Sequence, residues 1–255
     1  MGLTLAMTGK GGVGKTTLAA LTVEWLVAQG EAPVLAVDAD SNANLHEALG
    51  VSYRATVGGI RESARQDVPK LRGMAKQEFL DLRVHEALVE QAGYDLIVMG
   101  RPEGQGCYCF ANNVLREVLD RLSRQYRHIV LDSEAGLEHI SRRTLLRLDH
   151  LLVVSDASVR GVRTAGRVSA LADEVALGVG ARGLILNRVP AGGLSAALER
   201  EVEATGLPLL VTIPLDPTIA AMDAGGLTVK AIPPDALARR ALSGLLGRLF
   251  AAARV

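Results

Sequence analysis

The stretch Gly9-Lys10-Gly11-Gly12-Val13-Gly14-Lys15-Thr16 follows a short apolar run, Leu3 to Met7, and leads into a strong helix-forming segment. It satisfies the pattern G-x-x-x-x-G-K-[ST] in the strand-loop-helix context that this pattern requires. Glycines let successive backbone N–H groups converge on phosphate oxygens, and the positive end of the helix adds to the attraction. The stretch therefore predicts a phosphate-binding loop for a nucleoside triphosphate.

Two residues of this loop carry most of the expected chemistry. We expect Lys15 to neutralise the β- and γ-phosphates and Thr16 to bind Mg²⁺ through its hydroxyl. The same letters also fit the dinucleotide pattern G-x-G-x-x-G, but a hydride-transfer site has no use for a lysine and a metal-binding hydroxyl at these positions. The predicted nucleotide ligands of the loop are Gly9, Lys10, Gly11, Gly12, Val13, Gly14, Lys15, Thr16 and Thr17.

Short apolar runs alternate with helical patterns along the rest of the chain. The predicted strands are Leu3–Met7, Pro33–Val37, Tyr94–Met99, His128–Leu131, Leu151–Val154, Leu184–Leu186 and Leu209–Ile213. The predicted helices are Thr16–Gln29, Asn112–Tyr126, Gly161–Ala176 and Leu194–Thr205. Several runs are apolar almost throughout, as in strands that are buried on both faces of a parallel sheet. The alternation predicts an α/β fold, a doubly wound and mostly parallel sheet with helices on both faces.

The predicted organisation is a single domain over residues 1–255. The more polar stretch 52–91 is interpreted as an insertion of mixed helix and loop after the second strand. An equal count of 28 basic and 28 acidic residues argues against a general nucleic-acid binder, whose affinity depends on a positive field. The start of the chain does not resemble a secretion signal, and no uncharged apolar run approaches the ~20 residues that span a bilayer. The sequence therefore predicts a cytoplasmic protein.

Carboxylates follow two of the predicted strands at their C-terminal ends, the edge of a parallel sheet where ligands collect. Asp38 and Asp40 end the second strand, and Asp132 ends the fourth, with Gly136 following at D-x-x-x-G spacing. One such carboxylate can hold Mg²⁺ through water, and another can orient the attacking water. We expect Asp132 to bind Mg²⁺ through water and the Gly136 N–H to contact the γ-phosphate. Capping of the next helix is the alternative for Asp38 and Asp40.

Candidate base contacts follow the last two predicted strands. Asn187 ends the sixth strand, where its amide can pair with a base through both its donor and its acceptor. Pro214 and Asp216 end the seventh strand and are weaker candidates, because turn formation also explains them.

Cys107 and Cys109 are the only two cysteines, and they stand in a glycine-rich turn before the helix that is predicted to open near Asn112. Thiols near a helix N-terminus are better metal ligands, because their pKa is depressed there. A soft-metal site with all-protein ligands needs about four of them, and a two-fold dimer would supply four thiolates. The alternative is a pair of small buried residues.

The string from Lys10 to Thr16 resembles the deviant Walker A motif of a family that includes MinD, ParA, arsenite-pump ATPases, the nitrogenase iron protein and CooC-type nickel chaperones. The resemblance implies a homodimer in which Lys10 reaches the partner's nucleotide, ATP or ADP. It also implies that Asp40 is the switch I aspartate, that Asp38 lies on the metal side, and that Asn187 recognises adenine.

A narrower resemblance concerns the cysteines. Arg101-Pro102-Glu103 and Gly106-Cys107-Tyr108-Cys109 resemble the C-x-C region of CooC-type ATPases, which assist nickel insertion into carbon monoxide dehydrogenase. Residues 132–139 resemble the switch II of that family, whereas Ser41-Asn42-Ala43-Asn44 depart from its usual switch I sequence. The resemblance implies an ATP-hydrolysing metallochaperone that carries Ni²⁺ or Zn²⁺ between the cysteines of two subunits, with carbon monoxide dehydrogenase or a related nickel enzyme as client.

Two other functions compete with this interpretation. The first is a MinD- or ParA-type positioning switch, because the stretch Ala236 to Val255 combines leucines at helical spacing with arginines and no acidic residue, as in helices that lie on membranes. A final helix packed on the sheet with a basic outer face explains the same pattern. The second is an iron-sulfur reductase like the nitrogenase iron protein, against which the close spacing of the two cysteines argues.

Overall fold

An eight-stranded sheet forms the centre of the protein, whose computed structural model describes residues 2–59, 84–100, 119–120, 122–134, 147–174 and 178–253. The strands are β1 (Thr4–Thr8), β2 (Val34–Asp38), β3 (Leu88–Gln91), β4 (Tyr94–Val98), β5 (His128–Asp132), β6 (Leu148–Asp156), β7 (Val179–Val189) and β8 (Leu209–Pro214). Their order in the sheet is β3-β4-β2-β5-β1-β6-β7-β8. All neighbours pair in parallel except β3 and β4.

Helices cover both faces of this sheet. They are α1 (Lys15–Ala28), α2 (Leu45–Leu49), α3 (Val159–Glu174), α4 (Ala196–Thr205), α5 (Pro217–Ala224) and α6 (Leu237–Ala252). Successive strand residues point to opposite faces, so Leu5 and Met7 of β1 pack with α1, α2, α5 and α6, while Ala6 packs with α3 and α4. Strands β2 and β5 are buried along their whole length, as their apolar sequences predict. The predicted doubly wound fold is confirmed.

The prediction was wrong at the edge of the sheet. Residues 88–91, which were assigned to an insertion of helix and loop, form strand β3 in an antiparallel hairpin with β4. Residues 84–87 before them are helical, and residues 60–83 lie outside the described part of the chain. Strand β3 has four residues and ends on exposed Glu90 and Gln91, so it lacks the apolar run that marks the central strands. The turn places Gly93 at φ 90°, a left-handed conformation that glycine adopts without strain.

The ends of three predicted elements also differ. The helix predicted over Asn112–Tyr126 lies mostly outside the described residues, but its described part ends at Leu122, where turn residues follow. Strands β6 and β7 extend beyond the predicted cores, because polar residues such as His150 and Arg182 continue the pairing at the start of each strand.

Helix α6 forms most of the C-terminal stretch for which the sequence left two alternatives. Its apolar side is buried against the sheet through Ala238, Leu242, Leu245, Leu246 and Phe250. Arg239 lies on the protein and donates to Glu24 Oε2 at 2.8 Å and to the Val229 carbonyl at 3.0 Å. The packed helix is therefore confirmed for these buried residues, whereas Leu237, the first leucine of the predicted apolar side, is 51% exposed. None of the helices within the described ranges is long and apolar enough to cross a membrane.

A buried histidine ties together the end of the sheet opposite the phosphate loop. His128 begins β5 and is 1% exposed. Its Nδ1 accepts the Leu3 N–H at 3.0 Å, which assigns the proton of the neutral ring to Nε2, 3.2 Å from Glu31 Oε2. Glu31 also pairs with Arg127 at 2.8 Å. Burial lowers the pKa of His128, although the Glu31 carboxylate acts in the opposite direction.

The lowered pKa of His128 predicts a contribution to stability that is lost in mild acid. The unfolded chain keeps the ordinary pKa of 6.5, so at this residue it binds more protons than the folded chain below that pH, and the contribution falls as the pH drops from about 7.5 to 5.5. The buried carboxyl groups of Asp38 and Asp132, whose pKa values are raised to about 7 and about 6, act in the opposite direction over the same range. His128→Asn can still accept the Leu3 N–H but cannot titrate, so it should cost about 1–2 kcal/mol at pH 7.5 and less than that at pH 5.5. Urea unfolding at both pH values measures the effect, with the exposed His85→Asn as control. Equal pH slopes in His128→Asn and the wild type would contradict the assignment.

Candidate functional site

The phosphate loop joins β1 to α1 over residues 9–14 and is pressed against the ends of neighbouring strands. Gly9 and Gly14 have φ values of 142° and 94°. A Cβ atom on Gly9 would lie 2.1 Å from the Val154 carbonyl oxygen, and one on Gly14 would lie 2.5 Å from Asn187 Nδ2. Only glycine fits these two positions, both for its backbone conformation and for its lack of a side chain. Helix α1 begins at Lys15, so its free N–H groups open onto the loop.

Lys15 is held inside the loop. The residue is 7% exposed, and its Nζ donates to the Lys10 carbonyl oxygen at 3.1 Å. Lys15 and Thr16 line an open cleft of about 440 Å³, in which Asp40 from the loop after β2 also takes part. The structure thus brings seven of the predicted site residues to one cleft: Gly11, Gly12, Gly14, Lys15, Thr16, Thr17 and Asp40. The Lys10 side chain is exposed at this surface.

Asp132 is the residue whose surroundings point most clearly to an ion. It ends β5 beside Met7 of β1 and is 1% exposed. Neither of its carboxylate oxygens has a hydrogen-bond partner among the described residues. Burial raises its pKa to about 6, although the nearby Thr16 hydroxyl and Lys15 ammonium act to lower it. A buried carboxylate without partners is costly, and a cation beside it would favour its charged form, so Asp132 and Thr16 fit a Mg²⁺ site.

Asp38 lies next to Asp132 in the sheet, but its carboxylate already accepts two backbone hydrogen bonds. Its Oδ1 accepts the Asp40 N–H at 3.2 Å, and its Oδ2 accepts the Leu45 N–H at 2.9 Å. Burial raises the pKa of Asp38 to about 7, and the Asp132 carboxylate adds to the rise, whereas the two N–H groups oppose it. In this structure Asp38 therefore caps the start of α2, the alternative weighed from the sequence, and its predicted role on the metal side stays a prediction.

The two acidic loops are joined by a residue that sequence reasoning missed. Glu134 follows β5, and its Oε1 accepts the Ser41 hydroxyl at 2.9 Å, while its carbonyl accepts the Thr8 hydroxyl at 2.9 Å. Asp40 is half-buried, and its Oδ1 accepts the Asn42 N–H at 2.7 Å. The loop after β2 is thus fixed at Ser41 and Asn42, which holds the Asp40 carboxylate at the cleft. No short sequence pattern signals Glu134, because its partners lie at the end of β1 and in the loop after β2, both far away in the sequence.

A second cavity, of about 370 Å³, lies on the other side of the phosphate loop. Its lining brings together Gly14, Thr17, Asn187, Pro214 and Asp216, with Leu18 and Ile219 as apolar walls. Asn187 is 8% exposed, its Nδ2 donates to the Val13 carbonyl at 2.8 Å, and its Oδ1 accepts the Arg188 N–H at 2.9 Å. The amide retains a second hydrogen and a second lone pair for a ligand.

Asp216 has a structural role in this structure. Its Oδ1 accepts the Thr218 N–H at 2.9 Å at the start of α5, and its Oδ2 accepts the Ala238 N–H at 3.0 Å in the first turn of α6. Burial would raise its pKa, but the N–H groups of Ala238 and Thr218 hold the pKa below its usual value. The turn-forming alternative for Asp216 therefore describes its contacts, and a nucleotide contact stays a prediction.

Three of the predicted site residues, Cys107, Cys109 and Gly136, lie outside the described residues. Within the ranges that the structure does describe, no group of three or more His, Cys, Asp or Glu side chains is arranged to hold a metal ion. The predictions for the cysteine pair and for the γ-phosphate contact of Gly136 therefore remain predictions.

The family description "CobQ/CobB/MinD/ParA nucleotide binding domain", called CbiA, matches residues 4–229 of the chain. The chain belongs to the CbiA family. The matched residues contain the whole phosphate loop and every described strand. The predicted membership of the MinD/ParA class of P-loop ATPases is thus confirmed.

Relatives of this CbiA-type chain include an uncharacterised protein and an accessory protein. It is 40% identical over 236 residues to an uncharacterised ATP-binding protein of Methanocaldococcus jannaschii, with 91% of the chain and 92% of that protein covered. It is 32% identical over 249 residues to the carbon monoxide dehydrogenase accessory protein CooC of Rhodospirillum rubrum, with 90% of each covered. Among solved structures, MinD of Pyrococcus horikoshii OT3 in complex with Mg-ADP is similar in fold, with a TM-score of 0.70, 24% identity and coverage of 98% and 96%.

Proposed function

We propose that the chain is a Mg²⁺-dependent ATPase whose nucleotide cycle controls the binding and release of a metal cargo. The observation that carries the nucleotide half is the unpartnered, buried carboxylate of Asp132, which lies near Lys15 and Thr16 of the phosphate loop. Such a carboxylate is stabilised by a divalent cation, and that cation accompanies a nucleoside triphosphate at this loop.

Each residue of the cleft has a part in the proposed hydrolysis. The loop N–H groups and Lys15 hold the β- and γ-phosphates, and Lys15 stabilises the charge that builds up on them. Asp40, held at the cleft by the contacts of its loop, orients the attacking water. Thr16 would hold Mg²⁺ through its hydroxyl and Asp132 through water, with Asp38 beside them. Mg²⁺ supplies charge neutralisation on the two terminal phosphates.

The second cavity is the proposed base site. Its apolar walls suit the faces of a purine, and Asn187 offers one donor and one acceptor at its edge, with Pro214 and Asp216 at the far side. We propose ATP rather than GTP, from the family resemblance of Asn187. The Mg-ADP complex of the similar MinD fold supports ATP and ADP as the nucleotides.

The proposed cargo is Ni²⁺ or Zn²⁺, bound by Cys107 and Cys109 of two identical chains. The 32% identity to CooC over nearly the whole chain supports this, together with the C-x-C sequence itself. Exposed Lys10 is proposed to reach the partner's nucleotide, so that ATP closes the homodimer and gathers four thiolates. Hydrolysis would release the Gly136 contact and loosen the metal site. The proposed client is carbon monoxide dehydrogenase or a related nickel enzyme, and thiols that bind metal imply a reducing, cytoplasmic location.

The second candidate is a MinD-type positioning switch without a metal role, favoured by the fold similarity to MinD. It can be tested by co-sedimentation of the full chain with anionic liposomes in the presence of ATP. The full chain is required, because α6 contributes Leu242, Leu245 and Phe250 to the core and its deletion would expose that core. A metallochaperone should stay in the supernatant with ATP and with ADP. ATP-dependent sedimentation would favour the positioning switch.

The nucleotide half of the proposal is tested by the turnover of ATP and GTP with Mg²⁺ and with excess EDTA. We expect ATP hydrolysis that requires Mg²⁺, and slower hydrolysis of GTP. Turnover that is equal with and without Mg²⁺ would contradict the assignment of Asp132 and Thr16.

A further inference from the structure

Strand β7 is irregular where it passes the phosphate loop. Its register with β8 shifts between Leu186, which faces Thr212, and Val189, which faces Pro214. Three steps along β7 therefore match two along β8, so β7 carries one extra residue, as in a β-bulge. Arg188 lies in this interval with φ 56°, a left-handed conformation that is rare for a residue with a long side chain.

Because of the bulge, the consecutive side chains of Asn187 and Arg188 both bind the phosphate loop. Asn187 Nδ2 donates to the Val13 carbonyl at 2.8 Å, and Arg188 Nη1 donates to the Gly12 carbonyl at 3.0 Å. In a regular strand these neighbouring side chains would point to opposite faces of the sheet, and they could not both reach one loop. The left-handed conformation of Arg188 removes that alternation, so two successive carbonyls of the phosphate loop are held from β7.

Holding these carbonyls also sets the direction of the loop's N–H groups. Among the described residues only the Ala32–Pro33 peptide is cis, so the Gly12–Val13 and Val13–Gly14 peptides are trans. In a planar trans peptide the C=O and the following N–H point in opposite directions. With the Gly12 and Val13 carbonyls turned toward β7, the N–H groups of Val13 and Gly14 are turned away from it. Gly12 and Gly14 line the cleft that also contains Lys15 and Thr16.

We propose that Arg188 is a positioning residue of the nucleotide site: by holding the Gly12 carbonyl, it orients the loop N–H groups toward the β-phosphate before any nucleotide binds. This inference rests on the proposed function, because it concerns the same site. Preorganised donors bind an anion more tightly than donors that must first be ordered. The β-phosphate is common to ADP and ATP and absent from adenosine, so the effect should follow that group.

The test compares Arg188→Asn with Arg188→Lys and with a matched control, Arg200→Ala, at an exposed position on α4. Asparagine tolerates the left-handed backbone but cannot reach the Gly12 carbonyl, so strain does not confuse the result. Calorimetric titrations with ADP, ATP and adenosine should show the affinities of Arg188→Asn for ADP and ATP reduced alike, by about ten- to a hundredfold, with adenosine unchanged. Arg188→Lys should recover part of the loss, and Arg200→Ala should match the wild type.

A second readout needs no nucleotide. Amide hydrogen exchange over residues 9–15 of the nucleotide-free chain should be faster in Arg188→Asn than in the wild type and in Arg200→Ala, since the loop loses one of its two anchors on β7. Unchanged affinity for ADP, or unchanged exchange, would overturn the inference. A loss of affinity confined to ATP would place Arg188 on the γ-phosphate, and an equal loss for adenosine would place Arg188 on the base or the ribose. Either result would also overturn the inference. If wild-type chain bound no ADP, the proposed function would fail, and the exchange measurement alone would then decide the role of Arg188.

Discussion

Lys15→Ala is expected to reduce ATP turnover by at least about a hundredfold, the loss typical when one preorganised charge-stabilising donor is removed. Lys15 is almost fully buried, and its ammonium lies inside the loop, 3.1 Å from the Lys10 carbonyl. A water molecule in the space left by Lys15 would carry no positive charge. It could not offset the negative charge that develops on the terminal phosphates inside the loop. Phosphate release under saturating Mg-ATP measures the effect.

The matched control for this variant is Lys230→Ala, which removes an exposed lysine outside the cleft. It should keep the turnover of the wild type. Circular dichroism of both variants establishes that they are folded. A Lys15→Ala chain that is folded and still hydrolyses ATP at more than about a tenth of the wild-type rate would contradict the proposed role of the phosphate loop.

Replacing Cys107 and Cys109 together with Ala is expected to abolish the binding of Ni²⁺ and Zn²⁺ and to leave nucleotide affinity unchanged. These are the only thiols of the chain, so no other soft ligand can take their place. The described lining of the nucleotide site comes from the loops after β1 and β2, from the end of β7 and from the stretch after β8, whereas the cysteines follow β4 in the sequence. Equilibrium dialysis with Zn²⁺ and with Ni²⁺, followed by metal analysis, measures the first effect, and titration with ADP measures the second.

The Cys variant has an internal control, because its affinity for ADP should stay within about twofold of the wild type if the chain is folded. Unchanged Ni²⁺ or Zn²⁺ stoichiometry in the double variant would contradict the metal half of the proposal. A loss of ADP affinity together with metal binding would instead indicate that the cysteines support the fold.

Local sequence patterns predicted the parts of the site that depend on backbone geometry. The phosphate loop is fixed by glycines within eight residues, and the apolar runs that end at Asp38 and Asp132 identify buried parallel strands. Such patterns can be recognised because the residues that determine the structure lie within the element itself. In the loop they are glycines that permit close approach, and in the strands they are apolar residues that must be buried on both faces. Because Asp38 and Asp132 end these strands, they were predicted to lie at the C-terminal edge of the parallel sheet, where ligands collect.

The remaining features depend on contacts between distant segments. Glu134 joins the end of β1 to the loop after β2, and Arg188 reaches the phosphate loop only because β7 carries a bulge. Asp38 and Asp216 have carboxylates that cap helices, which letters alone could not distinguish from nucleotide contacts. Strand β3 is too short and too polar to be recognised without its partner. In each case the conformation or role of the residue is determined by contacts with distant segments, which a short sequence pattern does not contain.

The central claim is that the nucleotide state controls a metal shared by two chains. Native mass spectrometry of the full chain, loaded with Zn²⁺ or Ni²⁺ and held with ATP, with ADP or without nucleotide, reports the mass of the assembly and the metal content together. We expect a dimer that contains about one metal ion per two chains with ATP, and a lower metal content with ADP. Metal bound to single chains, or a metal content that is the same in all three states, would contradict it.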